Sequence, residues 1–286
     1  MRKVIVAATQ IACSWNREAT LDNAEKLVRE AVSKGANIVL LQELFETPYF
    51  CQLEKYCYLE LATTIEENPA IKRFTKVAKE LSVVIPVSFF EKRGNTQFNS
   101  VVVIDADGTN LGIYRKTHIP HNPQYEEKFY FTPGDTGFKV WNTKFGKIGI
   151  GICWDQWFPE TARCLALQGA ELLLFPTAIG SEKDSDYDSS SHWRNTMAGH
   201  AAANMMPVIA SNRIGTEDDD NSSMTFYGNS FITDNQGNIV KSMGNSEGVI
   251  TAEFDLDELA KFRREWCIFR DRRPEMYGTI MTHGDK

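Results

Sequence analysis

The sequence predicts an α/β fold, a four-layer αββα sandwich in which two sheets pack face to face between outer helices. Three observations carry that reading. Short apolar runs suited to buried strands alternate with stretches of helical period. The same alternation occurs twice along the 286 residues. No low-complexity tract or Pro/Gly-rich spacer separates the two halves, so both are assigned to one layered core. In the first half, Val4 to Ala8 reads as a buried strand. Leu21 to Val32 follows as a helix, with Leu21, Ala24, Leu27, Val28 and Val32 on one face and Thr20 or Asp22 as its cap. Gly35 ends that helix, and Ile38 to Leu41 is the next strand. A second helix spans Ala70 to Leu81 and a strand Val83 to Val87; Ser100 to Asp105 and Leu111 to Lys116 form a hairpin about Asp107-Gly108.

The second half repeats this order. Gly146 to Ile152 is a strand, Glu160 to Gln168 a helix, Glu171 to Phe175 a strand, Trp193 to Asn204 a helix and Pro207 to Ser211 a strand. Phe231 to Thr233, Asn238 to Lys241 and Val249 to Phe254 read as a terminal meander, with turns at Asn235-Gln-Gly237 and Asn245-Ser-Glu-Gly248. Ser181 to Ser191 and Thr216 to Ser223, both rich in Asp and Ser, read as loops.

Composition narrows the function. At 42% hydrophobic and 24% charged, the chain has ordinary globular usage. A net charge of -7 with no local Lys/Arg cluster excludes nucleic acid and anionic membrane as expected partners, and favours small or cationic ligands. The apolar run after Met1 is too short for a signal peptide, and no stretch approaches the ~20 apolar residues of a membrane span. The six cysteines, at 13, 51, 57, 153, 164 and 267, contain no Cys-x-x-Cys pair. They read as reduced thiols in a cytoplasmic protein. The histidines form no zinc-protease pattern and no Gly-rich phosphate loop occurs, so neither a metal nor an organic cofactor is expected.

Chemistry concentrates at three strand ends. Cys153 closes the run Gly149-Ile-Gly-Ile-Cys153 and is followed at once by Trp154-Asp-Gln-Trp-Phe-Pro-Glu160, a sharp turn from strand into helix that exposes a nucleophile beside backbone N–H groups. Glu43 follows Val39-Leu-Leu-Gln42 and precedes Leu44-Phe45, where apolar neighbours raise a carboxylate toward the range of a general base. Lys116 closes Gly112-Ile-Tyr-Arg-Lys116. Each residue alone has a plain alternative: a buried structural thiol, a salt-bridged glutamate, a lysine snorkelling to the surface.

Together, and in this order, they resemble the nitrilase superfamily of carbon-nitrogen hydrolases. The matching segments are Leu41-Gln-Glu43-Leu-Phe, Tyr114-Arg-Lys116-Thr-His-Ile-Pro, Gly151-Ile-Cys153-Trp-Asp and Asn212-Arg213-Ile-Gly215, and the resemblance runs from Val4 to about Tyr277. It implies the αββα sandwich, with Cys153 as nucleophile, Glu43 as general base and Lys116 as stabiliser of the oxyanion together with the backbone N–H of Trp154. A further glutamate of the family falls in Tyr125-Glu-Glu127-Lys-Phe-Tyr-Phe-Thr-Pro-Gly134 and is assigned to Glu127, with Glu126 one slip away. The resemblance also implies one hydrolase domain over residues 1–286 and a homo-oligomer, dimer or higher, whose C-terminal tail, 266–286, contacts a neighbouring subunit.

Within the superfamily, Cys153-Trp-Asp-Gln-Trp-Phe-Pro-Glu160, Phe175-Pro-Thr-Ala-Ile-Gly-Ser-Glu182 and Phe269-Arg-Asp-Arg-Arg-Pro274 look most like the branch acting on N-carbamoylputrescine. Branches taking carboxylate substrates place Arg soon after the nucleophile; here no basic residue precedes Arg163. A cationic substrate end is therefore expected, received by Glu182. The alternatives are N-carbamoyl-β-alanine, an N-carbamoyl amino acid or another small amide. A Cys-His hydrolase using His118 or His192 as base, and a catalytically silent binding protein on the same fold, are the rival classes.

Overall fold

The computed structural model describes residues 1–182 and 187–284, apart from the side chain of Glu182. In chain order the elements are β1 (Lys3–Gln10), α1 (Arg17–Ser33), β2 (Ile38–Leu40), α2 (Pro69–Leu81), β3 (Ile85–Arg93), β4 (Thr96–Ile104), β5 (Asn110–Arg115) and the single turn α3 (Glu127–Tyr130). Then come β6 (Val140–Thr143), β7 (Gly146–Ile150), α4 (Pro159–Leu167), β8 (Leu172–Pro176), β9 (Gly180–Glu182), α5 (Ser190–Asn204) and β10 (Val208–Ser211). The last are β11 (Ile214–Asp219), β12 (Ser222–Tyr227), β13 (Phe231–Thr233), β14 (Ile239–Ser242), β15 (Gly248–Asp255) and α6 (Leu256–Trp266).

Side-chain alternation along the strands explains the layering. On β1, Val4, Val6 and Ala8 point into the space between the sheets, while Ala7 packs outward among Leu21, Leu27 and Val28 of α1 and Phe74 and Val77 of α2. On β8, Leu172 and Leu174 face the same inter-sheet core, and Leu173 and Phe175 turn outward to Leu165 of α4 and Trp193 and Met197 of α5. A strand covered on both faces reads as a continuous apolar run, as Leu172-Leu-Leu-Phe175 does. The layers are therefore helix, sheet, sheet, helix, as the sequence predicts.

One sheet joins β15-β1-β2 to β3-β4-β5 through Val39 N–H donating to Val84 O at 3.0 Å and Val84 N–H donating to Asn37 O at 2.9 Å. The other has six strands in the order β14-β13-β10-β8-β7-β6, with β7 parallel to β8 and β8 to β10. Among the described residues no helix is long and apolar enough to cross a membrane.

Several local expectations are corrected. The cap of α1 is Asn16, whose side chain accepts from Ala19 N–H, because the helix begins a turn before its apolar stripe. The terminal meander does not form. β15 leaves β14 and pairs antiparallel with β1 from Lys3↔Asp255 to Gln10↔Gly248, capping an edge that β2 leaves open. Thr216 to Ser223 is not a loop but the hairpin of β11 and β12, which with β9 makes a small antiparallel sheet. Its polar residues face solvent on one side, while Met224 and Phe226 are buried on the other.

Candidate active site

Three chain segments that leave strands converge on one buried cluster. β2 delivers Glu43, β5 delivers Lys116, and β7 runs on through Gly151, whose N–H donates to Leu174 O at 3.1 Å, to reach Cys153. Glu43, Lys116 and Glu127 are all fully buried. The Lys116 ammonium donates to Glu43 Oε1 at 2.8 Å and to Glu127 Oε2 at 2.6 Å. Burial works against its charge, but the flanking carboxylates of Glu127 and Glu43 outweigh that and hold the lysine well above its ordinary range. Burial pushes the Glu127 carboxyl up to about 7 against the pull of Lys116, with Glu43 adding to the rise.

The two glutamates are held differently. Glu43 Oε1 also accepts from Asn99 Nδ2 at 2.7 Å, whereas its Oε2 accepts no hydrogen bond among the described residues. That oxygen is the one free to take a proton. Glu127 uses both oxygens, since Oε1 accepts from the Tyr49 hydroxyl at 2.6 Å. Glu126 lies outside this cluster, with His121 Nδ1 at 3.3 Å. Glu54, His121 and Glu126 could each offer a metal ligand atom, but Glu54 and His121 are exposed and Glu126 half-buried.

Cys153 sits at φ +41°, a conformation rarely adopted by a side chain that is not glycine. The tight turn Cys153–Trp157 begins there and leads directly into α4. Asp155 pins the turn from inside: its Oδ2 accepts from Ile152 N–H at 2.9 Å and Tyr114 OH at 2.7 Å, and its Oδ1 from His118 N–H at 3.0 Å. The nucleophile turn and the segment after Lys116 are thus bolted to one carboxylate. Burial and the Glu43 carboxylate raise the Cys153 thiol well above the ordinary range, with Lys116 pulling the other way. The resting group is therefore a neutral thiol, which needs a base.

A cavity of about 730 Å³ opens over Cys153, lined chiefly by Pro120, Tyr125, Trp154, Trp157, Ile179 and Tyr187. His192 reaches its wall, where its Nδ1 lies 2.9 Å from Tyr187 OH. His118 lies against Asp155 and stacks on Phe158 with ring centroids 3.7 Å apart. Neither histidine takes the hydrogen bond of the Cys153 thiol, which goes to Ala178 O at 3.7 Å. Glu182 ends β9 opposite Met224, and its side chain lies outside the described residues. Asn99, Tyr49 and Asp155 were not singled out from sequence. Asp155 closed the matched segment without a role assigned to it, whereas Asn99 and Tyr49 come from segments whose composition says nothing about the site.

Comparison with known proteins agrees with this geometry. A model of the Carbon-nitrogen hydrolase family matches residues 5–264. The chain is 57% identical over 286 residues to a protein of Oryza sativa subsp. japonica named N-carbamoylputrescine amidase, covering 98% of this chain and 95% of that one. It is 49% identical over 283 residues to a citrullinase of Francisella tularensis subsp. tularensis, covering 98% and 99%. The crystal structure of a carbon-nitrogen hydrolase from Helicobacter pylori G27 matches with a TM-score of 0.94 at 38% identity, covering 99% of this chain and 100% of that one.

Proposed function

The chain belongs to the carbon-nitrogen hydrolase family, and from that premise we propose that it hydrolyses N-carbamoylputrescine to putrescine, ammonia and carbon dioxide. The observation that carries this reading is the Cys153 thiol on the wall of a largely apolar cavity, backed by a buried Glu-Lys-Glu cluster. The apolar walls suit the tetramethylene chain, and the cluster suits the ureido group. Glu43 Oε2 takes the Cys153 proton as sulfur attacks the carbonyl carbon. The resulting oxyanion is held by the Lys116 ammonium and the Trp154 N–H. Glu43 then returns the proton to the departing nitrogen, leaving a thiocarbamate on Cys153. Water that gives a proton to Glu43 cleaves that bond and frees the thiol; the carbamate formed loses carbon dioxide. Glu127 holds Lys116 in place throughout.

The far end of the substrate decides the branch. Citrulline shares the ureido group but carries a carboxylate, and no Lys or Arg lines the cavity among the described residues. The reading assigns the ammonium of N-carbamoylputrescine to Glu182, three residues beyond the cavity-lining Ile179. A charge-assisted hydrogen bond of about 1.5 to 3 kcal/mol predicts that Glu182→Gln raises KM roughly 10- to 100-fold and spares kcat. A neutral amide of similar length should be little affected. Ammonia release from N-carbamoylputrescine, citrulline, N-carbamoyl-β-alanine and simple amides is the test; faster turnover of either carboxylate substrate would overturn the assignment. The reading further includes a homo-oligomer, and a cytoplasmic location in keeping with six free cysteines, the nucleophile among them.

A further inference from the structure

The segment Asn212-Arg213-Ile-Gly215 has no place in the chemistry above, yet Arg213 is fully buried. Its Nη2 donates to Glu43 O at 2.8 Å and to Leu44 O at 3.0 Å, the base's own carbonyl and the next one in the chain. Leu44 is at φ +47°, so the backbone leaves Glu43 in a turn that persists only if something holds it. The Nη1 of Arg213 donates to Thr47 O at 3.2 Å and Glu217 Oε1 at 2.9 Å. The guanidinium also lies over the rings of Tyr49 and Phe226, at 5.9 and 5.2 Å. Glu217, on β11, accepts in turn from the backbone N–H of Tyr49. Tyr49 then reaches Glu127 through its hydroxyl.

We propose that the buried Arg213–Glu217 pair is the positioning device of the site, fixing Glu43 through its backbone carbonyl and Glu127 through Tyr49. One ion pair, made by Glu217 of β11 and the arginine just before that strand, thereby sets the two carboxylates that flank Lys116. Arginine is required because a single planar fork reaches the carbonyls of residues 43, 44 and 47 and a carboxylate together; a lysine keeps the charge but cannot span them. The direct hydrogen bond from Tyr49 pulls the Glu127 carboxyl downward, so its loss should move the Glu127 titration to higher pH.

This inference rests on Cys153 and Glu43 acting as proposed, but not on the identity of the substrate. Its test is the rate of Cys153 alkylation by iodoacetamide against pH, in the unmodified protein, Arg213→Lys, Glu217→Gln and Tyr49→Phe, with thermal melting of each. Arg213→Lys and Glu217→Gln should alkylate about 10- to 100-fold more slowly near neutral pH, the scale set by a small displacement of a reacting group. Glu217→Gln and Tyr49→Phe should both shift the acid limb of the profile upward. Variants that melt as the unmodified protein does and keep its alkylation rate and acid limb would overturn the proposal. Should both ion-pair variants fail to fold, Tyr49→Phe decides, and an unmoved acid limb overturns it. Failure of Glu43→Gln to slow alkylation of Cys153 would instead remove the catalytic reading on which the inference stands.

Discussion

The cluster around Lys116 contains two carboxylates and one ammonium, so it sits one proton short of neutrality in a site without exposure. Glu127 absorbs the imbalance, with its carboxyl raised to about 7 by burial. As pH falls through that value, Glu127 takes up a proton and its charge no longer holds the Lys116 ammonium in place. kcat/KM should therefore fall on the acid side with an apparent pKa of about 7. A pH-rate profile of Glu127→Gln should lose this limb and show a lower plateau. Cys153→Ala should abolish turnover while melting like the unmodified protein, since a thiol-to-hydrogen change at the site removes little volume. Glu43→Gln should cost at least ~100-fold in kcat; near-normal turnover in either variant would discard the mechanism. Glu43, Lys116 and Cys153 each close an apolar run and were ambiguous alone; it was their shared order and local motifs, as a family resemblance, that marked them in the sequence. Tyr49 and Asn99 were not legible there, because a tyrosine or an asparagine among ordinary neighbours acquires meaning only from what the fold places opposite it.

Strand ends also limit how the elements can move. Gly134 N–H donates to Lys116 O at 2.8 Å, clamping the segment after α3 against the end of β5. A Cβ added at Gly134 would lie 2.1 Å from Arg115 O and 2.8 Å from Lys116 O, and backbone on both sides leaves it nowhere to go. Gly134→Ala should therefore push Lys116 off its two carboxylates, lowering kcat about 100-fold and the melting temperature by several degrees. Full kcat in the folded fraction would show that the lysine is placed from elsewhere. Gly134 ended a matched segment with no role read for it, since close backbone approach leaves no composition signal. β11 and β12 were hidden for a related reason: a two-faced hairpin with an Asp- and Ser-rich tip reads as a loop until Met224 and Phe226 find a core. β15 was read as a strand from its alternation, but period alone does not select a partner, and the open edge of β1 outcompeted β14.

At the scale of the whole molecule, the two sandwich halves bury each other, and the repeated order of elements made that layering legible from the start. The C-terminal segment obeys a different rule. Arg263 anchors its beginning, donating to Ala170 O and Met205 O at 3.3 Å each, and Arg163 lies over the Phe269 ring at 5.1 Å. Beyond those ties the segment is rich in uncovered apolar groups: Trp266 is 64% exposed, Met276 66%, Ile280 62% and Met281 85%. Arg270, Arg272 and Arg273 stand among them, so apolar groups lie beside charged ones, a composition common at interfaces. This supports the proposal that the tail meets a neighbouring subunit. Sedimentation at micromolar concentration should give a species of at least two chains. Trp266→Asp, placed on the exposed face of α6, should weaken the assembly because it sets a charge where an aromatic anchor would be desolvated. Its thermal melting at low concentration should match that of the unmodified protein once both are dissociated, since Trp266 touches little of its own chain beyond the stacked Phe262. A stable monomer for the unmodified protein, or an assembly indifferent to Trp266→Asp, Tyr277→Ala and truncation after Arg273 alike, would leave these exposed groups without a partner and reject the tail as an interface.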